Sequence, residues 1–468
     1  MKAAIVPTVQ PSPGRPLVTP EGRPLRPSRL RRLLNTIGLL LALLLIVAGF
    51  GLAVQIKGGI ESHRLDLELA ERQLSAGEEP IPVRSRWYYI LRHDNRFIDR
   101  NTFRSTANQM VSVGIAAMGM TLIIISGGID LSVGSVMALT SVVIALMLNS
   151  GWLPVPKHLF SVGGGFPGIV WILTLVALGV ALLTGLVWYL RNSQRPGRYV
   201  VAALGLILLL PLVVLISGPL STVAAAVLVS ACILAWLLPY ALPSMLVGGA
   251  CGLVNALAVT RLKVVPFIAT LGMWGIARGL AKGLSGEQKI DAPSGWLGTH
   301  VLVRQPDPPW LLVSPGVWAL ILLAAVVWVL LRHTSFGRYV VAVGSNEEAA
   351  RLSGLNVDRI KLLIYAIAGL TTGLAGVMQF ARLTVGDPTT AMGAELDVIA
   401  AVVIGGASLS GGEGSVFGSL IGALIMAYLR VGCDHVGVPN WVQEIVIGMV
   451  IVLAVALDYL RRRNVARA

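Results

Sequence analysis

Three carboxylates interrupt otherwise apolar stretches of this chain, and acids in such surroundings can relay protons or hold polar ligands. Asp130 lies in Ser126-Gly127-Gly128-Ile129-Asp130-Leu131-Ser132, between two apolar runs. Glu395 and Asp397 open a second run, which ends at Gly405-Gly406 and is followed by the glycine- and serine-rich stretch Ser408 to Ser415. Each break admits two readings. Gly127 and Gly128 can take positive φ while Asp130 caps the next helix through the Leu131 or Val133 amide, giving a tight hairpin. The same break can keep polar backbone beside a pathway, where a polar ligand is met. Glu395 and Asp397 likewise suit either the first turn of a helix, whose dipole favours negative charge, or a ligand site. Further polar residues in or beside apolar runs are Asn108, Gln109, Thr121, Asn255, Thr270 and Gln379, and hydrogen-bonding groups of this kind can line a path.

Nothing assembles into a catalytic set. The chain has no GxxxxGK[ST], so it does not bind ATP by a P-loop. Gly163-Gly164-Gly165-Phe166-Pro167-Gly168 satisfies GxGxxG, but Pro167 and the apolar run behind it remove the strand-turn-helix context that motif needs. Six scattered histidines show no metal-ligand spacing, and neither a metal nor a cofactor is expected. Cys232, Cys251 and Cys433 form no CxxC and sit in or beside apolar segments, as small buried hydrophobes do.

The elements that must position these residues are membrane helices. The 468 residues are 55% hydrophobic and 13% charged, with mean hydropathy +0.78, whereas soluble domains carry about a quarter of their residues charged. Apolar runs such as Leu33–Val54, Ile169–Leu190, Tyr199–Ile216 and Leu362–Phe380 approach the roughly 20 residues that a bilayer helix requires. Without alternating ten-residue segments, helices rather than barrel strands are expected. The fold class is therefore an all-α polytopic bundle of about 12 transmembrane helices in contact with lipid. The net charge of +14 falls largely in two tails, residues 1–32 and 461–468. By the positive-inside rule these place both termini in the cytoplasm, and nucleic acid is not an expected partner. Residues 33–460 form the membrane domain, with an external insert at 55–103. Within that insert a short amphipathic helix is expected at Glu61–Leu74, lying on the membrane face. Ser221–Val259 is too long for one helix, and Pro239 and Pro243 can divide it. Gly248, Gly249 and Gly252, with Gly369, Gly373 and Gly376, put small faces at helical spacing for close helix contact.

One polar block has no place in a membrane. Residues 332–361 are basic at both ends and hold Asn346-Glu347-Glu348-Ala349-Ala350-Arg351-Leu352-Ser353-Gly354. Asn346 can cap a short helix with two glutamates in its first turn, and Gly354 can end it. The block faces the cytoplasm, where a partner can receive it.

Gly119-Met120-Thr121 through Gly134-Ser135, the Glu348–Gly354 segment, and Glu395-Leu396-Asp397 through Gly411-Gly412 together resemble the permease subunit of ribose/xylose/galactose-type ABC importers. The likeness covers about Phe97 to Leu460, apart from an insertion near Ser161–Ser217 that adds a helix pair to a family core of about ten. It implies a bacterial inner-membrane protein, paired as a homodimer with a cytoplasmic ATPase of two cassettes that alone binds ATP and magnesium. A periplasmic sugar-binding protein would deliver a monosaccharide, and residues 346–354 would dock in the ATPase. The alternative function is an ion-coupled secondary transporter of a small polar solute, which would need intramembrane acids as relays.

Overall fold

The computed structural model describes residues 29–76, 80–85, 88–89, 99–150, 241–293, 297–302 and 313–467. The expected spans Ile169–Leu190 and Tyr199–Ile216 lie outside them, as do Cys232 and Pro239. Twelve helices order the described residues: α1 Arg29–Ser75, α2 Arg100–Ile125, α3 Val133–Asn149, α4 Ala241–Thr260, α5 Pro266–Ser285, α6 Pro315–His333, α7 Ser335–Ser345, α8 Glu347–Leu352, α9 Val357–Leu383, α10 Ala394–Ile404, α11 Val416–Val436 and α12 Asn440–Arg467. Two short strands, β1 Ile290–Asp291 and β2 Val385–Gly386, pair antiparallel where α5 and α9 end.

Six of these helices are long and apolar enough to cross a membrane: α1 from Gly38, α2, α4, α6, α9 and α11. At the centre lies α2, packed on α9, α11, α10 and α6 and buried along almost its whole length. Polar side chains inside the bundle mostly bond their own helix, as Thr106, Thr140, Thr260 and Thr372 do. That local bonding removes the penalty of an unpaired hydroxyl in an apolar interior.

Glycine permits the closest contacts. Side chains on Gly248 or Gly252 would collide with the backbone of α9 at Gly369, Gly373 and Tyr365, and one on Gly373 would strike Ser244 and Met245 of α4. The expected small faces therefore form one seam between α4 and α9, except Gly376, which meets Met137 and Thr140 of α3. Pro243 does not divide the described part of its segment, because Ala241–Thr260 is one helix.

The segment expected to form an external insert, residues 55–103, differs from expectation in its helix. Glu61–Leu74 is no separate helix but the last turns of α1, whose 47 residues extend about 70 Å against a hydrocarbon core of about 30 Å. Its apolar part packs on α11 through Val47, Phe50 and Val54, and Phe50 fills the space beside Gly432. Beyond that contact the returning chain is tied to it: Tyr89 donates to Asp66 (2.5 Å) and the Ile81 amide donates to Gln73 (2.9 Å). An uninterrupted run of helix formers with no glycine or proline between Ile60 and Ser75 leaves α1 nothing to stop it at the membrane edge.

Candidate functional site

The polar block folds as two short helices set at sharp corners. Thr334 ends α6 and caps α7, accepting from the Gly337 amide at 3.3 Å. Asn346 then caps α8, accepting from the Ala349 amide at 2.9 Å, with Glu347 and Glu348 in the first turn. At the other end Gly354 takes φ +87°, its amide donates to Arg351 O, and the Leu355 amide donates to Ala350 O. This glycine-dependent C-cap satisfies carbonyls that a helix end otherwise leaves open. Ion pairs then bind the short helix to its surroundings. Lys361 of α9 reaches Glu347 at 2.6 Å, while Arg351 reaches Asp358 at 3.3 Å, which also receives Lys263 from the α4–α5 turn. Leu352 is 84% exposed on this rigid unit.

The unit is joined to both helix breaks through glycine. Gly412 donates its amide to Ile125 O, the last residue of α2, at 2.8 Å. A side chain on Gly344, in the last turn of α7, would collide with that same carbonyl and with the Gly412 amide. One on Gly411 would meet the Gly344 carbonyl and the Gly127 Cα. Three chain segments thus touch backbone to backbone.

At the first break Gly127 takes φ +81°, whereas Gly128 does not need positive φ. Asp130 does not cap α3 through Leu131 or Val133 as expected. Its Oδ1 accepts from the Ser132 amide (2.8 Å) and hydroxyl (2.6 Å), a local turn that outcompetes the helix cap. Asn255 of α4 donates to the Ser132 hydroxyl at 3.2 Å, and Thr270 of α5 to Ile129 O at 3.3 Å. The buried Tyr365 hydroxyl, close to Gly128, has no partner among the described residues.

The second break starts earlier than the sequence suggests. After β2 the chain turns inward through residues 387–393, with Ala391 at φ +54° and Gly393 at +78°, and α10 begins against the first turn of α3. Arg278 of α5 pins this turn by donating Nη1 to Pro388 O and Thr390 O, both at 2.8 Å. Gln379 donates to the Thr390 hydroxyl at 2.9 Å. Asp387, just after β2, accepts from the Thr389 amide and hydroxyl and pairs with Lys289 at 3.2 Å. Burial pushes its pKa up, but the Thr389 bonds and the Lys289 ammonium outweigh that and hold it below the usual carboxylate value. Asp397 pairs with Arg430 of α11 at 2.5 Å, and Glu395 lies with Oε2 against Gly134, unpartnered. From Gly405 and Gly406 (φ +89°) the chain turns back, and Ser415 caps α11 at Gly418.

The family described as "branched-chain amino acid transport system / permease component" matches residues 103–222 and 218–455 of this chain. The chain belongs to that permease family. Among curated relatives, the ribose import permease of Escherichia coli strain K12 is 33% identical over 371 residues, covering 78% of this permease and 87% of the relative. The fructose import permease of Rhizobium meliloti is 34% identical, covering 79% and 81%, and the xylose transport system permease of Haemophilus influenzae 33%, covering 79% and 92%. The motif resemblance to sugar importer permeases is borne out by these matches. No solved structure matches the chain.

The permease brings some of the predicted polar residues together and separates others. Asp130, Ser132, Asn255 and Thr270 meet at the first break, and Gln379 meets the second. Thr121 is occupied elsewhere, with Ala117 O and the Ser419 hydroxyl, and Ser126 bonds Ile123 O. Asn108 bonds Ser314 at the far end of α2, and Gln109 is half-buried one residue on. Sequence reading passed over Arg278, Tyr365 and Arg430. Arg278, a buried arginine in the apolar run Pro266–Ala281, carries a signal that could have found it.

Proposed function

We propose that this permease is the membrane subunit of an ATP-driven importer, passing a monosaccharide from a periplasmic binding protein across the bacterial inner membrane. A cytoplasmic ATPase with two cassettes docks on residues 346–354 and supplies the energy. The observation that carries this reading is the α7–α8 unit: a capped, ion-paired short helix, exposed at Leu352, yet packed through Gly344 on the end of α2 and on the reversal between α10 and α11. A closing ATPase that pushes such a lever displaces both helix breaks together.

Substrate class follows from the relatives, two of them import permeases for ribose and fructose and one a transport permease for xylose. Two copies form the path in this proposal. It is supported by α5, where Gly272, Gly275, Gly279 and Gly283 share one face with open space beside each among the described residues, as a close helix partner needs. Adding α3, α5, α12, the half-span α10 and the apolar stretches near 169–216 to the six long spans gives about twelve, which returns both basic tails to the cytoplasm.

Co-purification with the ATPase tests the docking role. Glu348→Arg and Gly354→Pro are expected to lose the ATPase while keeping wild-type yield and a monodisperse profile in detergent. Wild-type association in both variants would remove residues 346–354 from the interface.

A further inference from the structure

Buried polar atoms without partners mark the second break. Arg278 is 6% exposed and uses only Nη1, leaving Nε and Nη2 buried and unpartnered. Those two nitrogens form one edge of the guanidinium, with parallel N–H donors that accept a pair of neighbouring oxygens. The carboxylates acting on its charge are Glu395 and Asp387, but neither forms an ion pair with it. Asp387 is engaged by Lys289 and Thr389, whereas Glu395 Oε2 is free. Beside Glu395, at the first turn of α3, the Ser135 hydroxyl is also fully buried and unpartnered. Each such atom costs about 1–3 kcal/mol if nothing meets it, so four on three neighbouring elements are unexplained by packing.

We propose that the free edge of Arg278 and the Glu395 carboxylate form a subsite for a vicinal diol of the transported solute. The proposal rests on the importer reading above and names the residues that touch its cargo. Arginine and glutamate together carry no net charge, which suits a neutral solute. Two adjacent hydroxyls can accept from Nε and Nη2 and donate to Oε2 at once, which neither an isolated anion nor an apolar solute can do. The atoms are out of solvent reach here, so the subsite is closed in this conformation. It opens when the 387–393 turn and the start of α10 move away from α5 and α3.

The test is saturated uptake into proteoliposomes holding the permease, its ATPase and its loaded binding protein. The probes are D-ribose, D-xylose, monodeoxy analogues of each, and L-leucine. Arg278→Lys keeps the charge but removes the paired donors, and Glu395→Gln keeps the shape. Both are expected to lower sugar uptake about ten-fold or more. The analogue that lacks the contacted hydroxyl should be slow in the wild type and lose little further in the variants. Equal losses on every analogue, or wild-type rates in both variants, would overturn the subsite while leaving the importer reading intact. Wild-type import of leucine and of no sugar would instead overturn the substrate class. If Arg278→Lys fails to fold, the near-isosteric Glu395→Gln decides alone.

Discussion

The α7–α8 unit and the 387–397 turn both hold charge, but they hold it in opposite ways. Around α8 the caps are met and the charges paired: Asn346, Gly354, Glu347 with Lys361, and Asp358 with Arg351 and Lys263. Around α10 the donors and acceptors are buried and partly idle, at Arg278, Glu395, Asp397 and Ser135. Satisfied polar groups rigidify, and idle ones in an apolar interior call for an occupant. In the proposed function the difference separates a lever that transmits force from a site that meets cargo. Gly344, Gly411 and Gly127 join the α7–α8 unit to the end of α2 and to the chain reversal that follows α10.

The largest effect should come from breaking that connection. Gly344→Val drives a side chain into the Ile125 carbonyl, where backbone cannot yield, so little folded protein is expected by fluorescence size-exclusion. Next, Arg430→Ala leaves the buried Asp397 carboxylate without its ion pair. We expect a loss of about 1–3 kcal/mol, read as a lower midpoint of thermal unfolding, with ATPase binding retained. Asn346→Ala removes one cap from the lever and should cost about 1 kcal/mol locally, weakening ATPase association without lowering the unfolding midpoint of the bundle.

The smallest effect is expected at Asp387. Its pKa is depressed in the folded protein, so it stabilises the turn above the ordinary carboxylate pKa of about 4 and ceases to as pH falls through the lowered value. The wild type should therefore lose thermal stability below about pH 4 more steeply than Asp387→Asn. Parallel curves for the two proteins would remove Asp387 from that loss.

Capping is written locally, which is why α8 was legible in the sequence: Asn346 and Gly354 each act within four residues of their partners, and the two acids sit in the first turn that Asn346 caps. The helix start near Glu395 and the chain reversal before Val416 were legible for the same reason. The 387–393 turn was not, because it is held from α5 and α9 by Arg278 and Gln379, more than 100 and about 10 residues away in sequence. Asp130 misled because a two-residue turn with Ser132 and a helix cap use the same side chain, and only the folded geometry chooses between them. Likewise α1 outran its expected boundary, since hydropathy marks where apolar residues end and not where the helix does.

The central claim is that force enters at residues 346–354 and comes from ATP. Uptake of labelled D-ribose into proteoliposomes containing the permease, ATPase and binding protein tests it most directly. The account predicts uptake that requires ATP, ignores an imposed proton gradient, and is lost in Glu348→Arg. Uptake that persists without ATP and follows the proton gradient would contradict it.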